Sequence, residues 1–170
     1  MKTTPQNLQV LYEDNHLIAI NKRAGDIVQG DKTGDIPLSE IVKAYLVEKY
    51  HKAGEAYLGV VHRLDRPTTG LVLFAKTSKA LPRLNAAFAT KEEVNKQYWA
   101  LIEKKPIPTE GTLTHFLVRN TSQNKSYAYQ TEKPQSQKAV LTYKVLATLT
   151  YYLLVEINLL TGRHHRIRAQ

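Results

Sequence analysis

Apolar positions recur along this chain with two periods. Leu8 to Tyr12 and Leu17 to Asn21 are short apolar runs separated by the polar Glu13-Asp14-Asn15-His16, the pattern of two strands joined by a turn, with Lys22 to Gly25 closing the second. Pro37, at a first helical turn, introduces Leu38, Ile41, Val42, Tyr45 and Leu46 at helical spacing and predicts an amphipathic helix ending by Gly54. Its apolar stripe reads as core packing and its lysines as ordinary surface. Leu71 to Ala75 is a continuous apolar run of the kind a buried strand gives. Thr77 or Ser78 can then cap a helix carrying Leu81, Leu84 and Phe88 on one face.

In the second half the period is mostly two. Val94 to Glu103 reads as a strand whose Tyr98 and Trp99 point to opposite faces. Lys104 to Gly111, with Pro106 and Pro108, is a loop before a strand around Thr112 to Val118. Arg119 to Lys138 is polar and reads as a mobile loop or ragged hairpin. Within it Lys125, Tyr127, Tyr129 and Lys133 interleave cations with aromatics, which a solvated loop explains more simply than a platform for unpaired bases. Ala139 to Leu149 and Tyr151 to Leu160 carry a strong hairpin signal. Thr161 or Gly162 then offers an N-cap for a basic segment in which a helix would set His164 and Arg168 on one face. No internal repeat is visible, and the expectation is one domain over residues 1–170.

Composition narrows the partners. A 42% hydrophobic content suits a folded protein, and 24 Lys+Arg against 15 Asp+Glu give a net charge of +9, which attracts polyanions. With no cysteine there are no disulfides, thiol nucleophiles or cysteine-ligated zinc, and the six histidines show no ligand spacing, so no metal is expected. The N-terminal residues have no apolar h-region and no run reaches the ~18 residues of a membrane span, which makes the cytoplasm the expected compartment.

The candidate chemistry lies in His62-Arg63-Leu64-Asp65-Arg66-Pro67-Thr68-Thr69-Gly70, a loop leading directly into the Leu71 to Ala75 run. One carboxylate stands between two guanidiniums that favour its ionised form, so Asp65 could act as a nucleophile without a separate base. For an isolated Arg-x-Asp-Arg an ion pair or a turn cap is the commoner reading. The longer string decides between them: His-Arg-Leu-Asp-Arg-x-Thr-x-Gly-Leu followed by an apolar strand and Ala-Lys-Thr closely resembles the signature of the RluA-type pseudouridine synthases. Asn21-Lys22-Arg23-Ala24-Gly25 resembles the family's Asn-Lys-Pro-x-Gly, Lys96-Gln97-Tyr98 its Lys-x-Tyr strand, and Thr161-Gly162-Arg163-His164-His165-Arg166-Ile167-Arg168 its Thr-Gly-Arg-Thr-His-Gln-Ile-Arg segment. Arg23 replaces the family's proline and is expected to be a solvated surface residue.

The resemblance implies an α+β fold with a central, mainly antiparallel sheet flanked by helices, and an RNA uridine isomerase that flips its target base and needs no cofactor. It implies Asp65 as the nucleophile, Tyr98 stacked on the flipped uracil and Arg168 paired with Asp65. His62, Arg63, Arg66, Arg163 and His165 would contact RNA, Arg63 occupying the vacated stack. The substrate class would be rRNA or tRNA, with no membrane partner, and the protein a monomer. Nothing after Gln170 matches the family's later Gly-Asp-x-x-Tyr-Gly-like stretch, so a C-terminally truncated catalytic domain without a separate N-terminal RNA-binding domain is expected. The competing readings are a catalytically inactive RNA-binding module of the same fold and a glycosidase, the latter disfavoured because the loop offers a single carboxylate.

Overall fold

The computed structural model describes residues 2–90, 93–105, 107–123, 125–161 and 166–170, without the side chain of Arg166. It divides into two compact units, residues 1–93 and 94–170.

In the first unit the elements run β1 (Val10–Glu13), β2 (Leu17–Lys22), α1 (Leu38–Lys49), β3 (Gly59–Val60), β4 (Gly70–Ala75) and α2 (Ala80–Ala89). The strands form one antiparallel sheet in the order β1-β2-β4-β3. Register explains its core: Ile18 lies opposite Phe74 and Ile20 opposite Val72. All four are fully buried against Leu38, Val42 and Leu46 of α1, each worth about 1.5–3 kcal/mol of burial. The next pair in that row is Lys22 with Gly70, so strand parity turns a lysine toward the interior where its partner has no side chain.

Helix α1 stops at Lys49, within the Gly54 limit read from the sequence, and its closure is made by His51. His51 N–H reaches the Glu48 carbonyl at 3.4 Å and Lys52 N–H the Val47 carbonyl at 3.1 Å, while His51 takes φ +48°. That is a Schellman closure with histidine in the left-handed position glycine usually fills.

Two surface expectations also change. Glu13, assigned by sequence to a polar turn, ends β1 with its side chain 7% exposed. Its carboxylate accepts from Lys49 Nζ at 2.7 Å, Lys76 Nζ at 2.7 Å, Tyr50 hydroxyl at 2.7 Å and Tyr45 hydroxyl at 3.1 Å. Burial alone would raise the Glu13 pKa, but the donors of Lys49, Lys76, Tyr50 and Tyr45 outweigh it and lower it from 4.5 to about 2. The same carboxylate raises Lys49. Burial works against the charge of Lys76, yet the bond to Glu13 leaves its pKa raised. Lys49 is therefore a tie between α1 and β1 rather than ordinary surface.

The second unit contains β5 (Gln97–Glu103), β6 (Glu110–Asn120), β7 (Lys125–Tyr129), β8 (Gln137–Thr148), β9 (Tyr152–Leu159) and α3 (Arg166–Ala169). Its strands pair antiparallel in the order β5-β9-β8-β6-β7. The α+β, antiparallel expectation holds, with the described strands in two sheets. One face of the second packs Leu141, Leu153, Val155 and Ile157 with Tyr98, Tyr143 and Ile167. Trp99 takes the opposite face and is 68% exposed. The polar stretch 119–138 is a hairpin built on β6 and β7, whose turn is held by the Asn120 side chain accepting from Gln123 N–H at 3.0 Å and Ser122 Oγ at 2.7 Å. Among the described residues no helix is long and apolar enough to cross a membrane.

Candidate active site

The loop carrying Asp65 is fixed from beneath by Lys22. This residue is 1% exposed, and its ammonium donates to the carbonyls of Arg23 at 3.0 Å, Arg66 at 3.1 Å and Thr68 at 2.7 Å. Three N–H donors thus meet three carbonyl acceptors, the condition under which a buried cation is tolerable. Burial lowers the Lys22 pKa, and the charges of Asp26 and Asp65 oppose that shift while Arg66 adds to it.

A second tie is made by Gly25, whose N–H donates to the Arg66 carbonyl at 2.8 Å from a backbone at φ +95° that disfavours any side chain. Thr68 N–H closes the turn onto the Asp65 carbonyl at 3.0 Å. Gly70, at φ +129°, then redirects the chain into β4. Asp65 is half-buried, and Arg63 and Arg66 are exposed on either side of it.

His62 sits at the other end of the loop. Its Nε2 accepts from Leu73 N–H at 3.0 Å, which puts the ring proton of the neutral form on Nδ1. The ring stacks on Phe88 with centroids 4.7 Å apart and planes at 23°. His62 thereby joins the loop to β4 and α2. Arg66 forms an ion pair with Asp35, an exposed contact that a phosphate could replace. Arg23 is half-buried, not solvated as the sequence suggests. Its guanidinium donates to the Asn7 side chain at 3.3 Å and the Asn7 carbonyl at 3.0 Å, which the five-donor fork allows and a proline would not.

Of the residues singled out by sequence, Asp65, His62, Arg63 and Arg66 share this loop. Tyr98 and Arg168 belong to the second unit. Tyr98 lies on the packed face of β5 opposite Ile157, and Arg168 is exposed on α3, which runs against β7. Arg163 and His165 lie outside the described residues, as does His164. The residue sequence reasoning missed as part of the site is Lys22. Its signal was the inward parity of Ile18, Ile20 and Lys22 on β2. Among the described residues no three His, Cys, Asp or Glu side chains gather as metal ligands do.

Chemically, the arrangement presents one carboxylate on a turn whose backbone is tied at three points, with exposed guanidiniums beside it. That suits covalent attack on a polyanionic substrate, because the tethered backbone limits the reorganisation the reaction must drive.

The RNA pseudouridylate synthase family model matches residues 16–170. Ribosomal large subunit pseudouridine synthase D of Zymomonas mobilis is 33% identical over 169 residues, covering 95% of this chain and 51% of that protein. An uncharacterized RNA pseudouridine synthase of Mycoplasma capricolum is 34% identical over 173 residues, covering 96% of this chain and 54% of that protein. Among solved structures, human RNA pseudouridylate synthase domain containing 4 superposes with a TM-score of 0.77 at 25% identity, covering 95% of this chain and 62% of that one. The chain spans about half the length of these curated relatives. A match that runs from the turn before β2 to the last residue, through the Asp65 loop and the Lys22 segment that holds it, makes this chain a member of the RNA pseudouridylate synthase family.

Proposed function

We propose that this chain isomerises uridine to pseudouridine in RNA, with Asp65 as the nucleophile, as one catalytic domain over residues 1–170 acting as a cytoplasmic monomer. The bond from ribose C1′ to N1 breaks, the uracil turns, a bond from C1′ to C5 forms, the C5 proton is released and N1 takes up a proton. Electrons balance within the base, so no oxidant, reductant or cofactor enters. Asp65 supplies the covalent step, Tyr98 stacks on the extruded uracil, and Arg168 pairs with the Asp65 carboxylate. Arg63 fills the gap left in the RNA stack, while His62, Arg66, Arg163 and His165 contact the RNA around it. The relatives named for the large ribosomal subunit make rRNA the first substrate class to test, ahead of tRNA.

The observation that carries this reading is the Lys22 tether. A buried ammonium bonded to the carbonyls of Arg66 and Thr68 fixes the backbone immediately after Asp65, the kind of support a nucleophile needs to be held in attack geometry. The test is tritium release from C5-labelled uridine in rRNA transcripts, with Arg63→Ala compared on structured and unpaired strands. Release by the chain, slowed by Arg63→Ala chiefly on structured RNA, supports the assignment. No release with any transcript counts against it.

A further inference from the structure

We infer that the outward face of the β6–β7 hairpin is a second RNA contact, a stacking platform for unpaired bases separate from the Asp65 loop; this rests on the RNA reading above. Strand geometry places Lys125, Tyr127 and Tyr129 on one face of β7, because side chains two residues apart point the same way. Register adds Phe116 to that face, directly opposite Tyr129, and on its other side Lys138 opposite Phe116. This face is the reverse of the one that packs Leu113 and Leu141.

Both tyrosines remain open, Tyr127 at 43% and Tyr129 at 39% exposure, on the strand that ends the sheet's order among the described residues. The Tyr127 hydroxyl donates to the Gln123 side chain at 2.7 Å, which anchors the ring's far end and leaves its faces available. Lys133 Nζ stands 6.0 Å from the centre of the Tyr129 ring. The two tyrosines leave the backbone roughly 7 Å apart, about two base-stacking steps, so successive splayed bases of one strand can each take a ring.

Charge favours the same occupant. This face carries Lys125 and Lys138, with Lys133 beside Tyr129, and Glu132 is the single acidic residue of the stretch 119–138. Aromatic rings alternating with cations along one edge are what single-stranded nucleic acid uses, rings for its bases and ammoniums for its phosphates. An apolar protein partner would have to desolvate the lysines on and beside this face.

The probe is a fluorescent, unstructured RNA 12-mer, with an abasic strand of equal length as control, each titrated over a salt series. Tyr127→Leu combined with Tyr129→Leu should weaken RNA binding at least about fivefold and leave the abasic strand unaffected. The corresponding pair of phenylalanine variants should retain wild-type affinity, since faces rather than hydroxyls do the binding. Lys125→Gln with Lys133→Gln should lower the salt slope for RNA by roughly 1.4, two phosphates' worth, and still reports if the leucine pair fails to fold. If the chain binds the 12-mer and both the leucine and glutamine pairs match it within twofold, the platform is wrong and the RNA reading stands. If the chain binds no RNA, both fall together.

Discussion

The Nζ of Lys22 stands 2.7 Å from the carbonyl oxygen of Thr68, so a lysine at the end of β2 holds the backbone three residues beyond Asp65. Lys22→Met keeps the length and removes all three donors. The Arg66 carbonyl still has the Gly25 N–H, but Thr68 loses the bond that Lys22 supplies. At about 1–3 kcal/mol for an unsatisfied buried group, the variant should lose roughly 2–4 kcal/mol in urea denaturation. Single-turnover rates should fall further than RNA affinity, because the loop loses its shape and not its charge. A variant with wild-type stability and turnover would show that the tether is dispensable.

Glu13 gives a prediction in pH. Its pKa is lowered from 4.5 to about 2 in the folded chain, so it contributes stability that is fully present above 4.5 and is lost as pH falls toward about 2. The shift corresponds to roughly 3 kcal/mol at most. Glu13→Gln should therefore be less stable than wild type at about pH 6, and the gap should close as pH falls through that window. Denaturation midpoints over a pH series read this directly. A gap constant with pH would contradict the Glu13 network.

The bond between Leu73 N–H and His62 Nε2 makes His62 a structural acceptor. His62→Phe preserves the stack on Phe88 but leaves that N–H without its partner. The expected cost is about 1–3 kcal/mol of stability, measured by thermal or urea unfolding. No change in stability would mean that water replaces the ring nitrogen at no cost.

These sites also show what the sequence could convey. Strands β2 and β4, the two longer helices and the Asp65 loop were legible because Ile18, Ile20, Val72 and Phe74 keep period two and Leu38, Val42 and Leu46 keep helical spacing. Lys22 was hidden by its residue type: the parity that buries Ile20 buries it as well, but a lysine at a strand end is normally solvated. Gly54 set only an outer limit for α1, because it is His51 that adopts the left-handed turn here. The roles of Lys49 and Arg23 depend on Glu13 and Asn7, 36 and 16 residues away in sequence, and no local pattern encodes such pairings. β7 was obscured because an edge strand is held by hydrogen bonds to β6 and needs no apolar run.

The central claim is that Asp65 is a nucleophile and not a structural carboxylate. Asp65→Asn changes charge and reactivity while nearly preserving shape. The deciding measurement is pseudouridine formation by this variant, alongside its thermal transition and RNA affinity. The account predicts no detectable conversion, an unchanged transition, and affinity equal to or slightly above wild type because an anion has left an arginine-rich loop. Conversion of uridine by Asp65→Asn, or loss of the folded state, would contradict it.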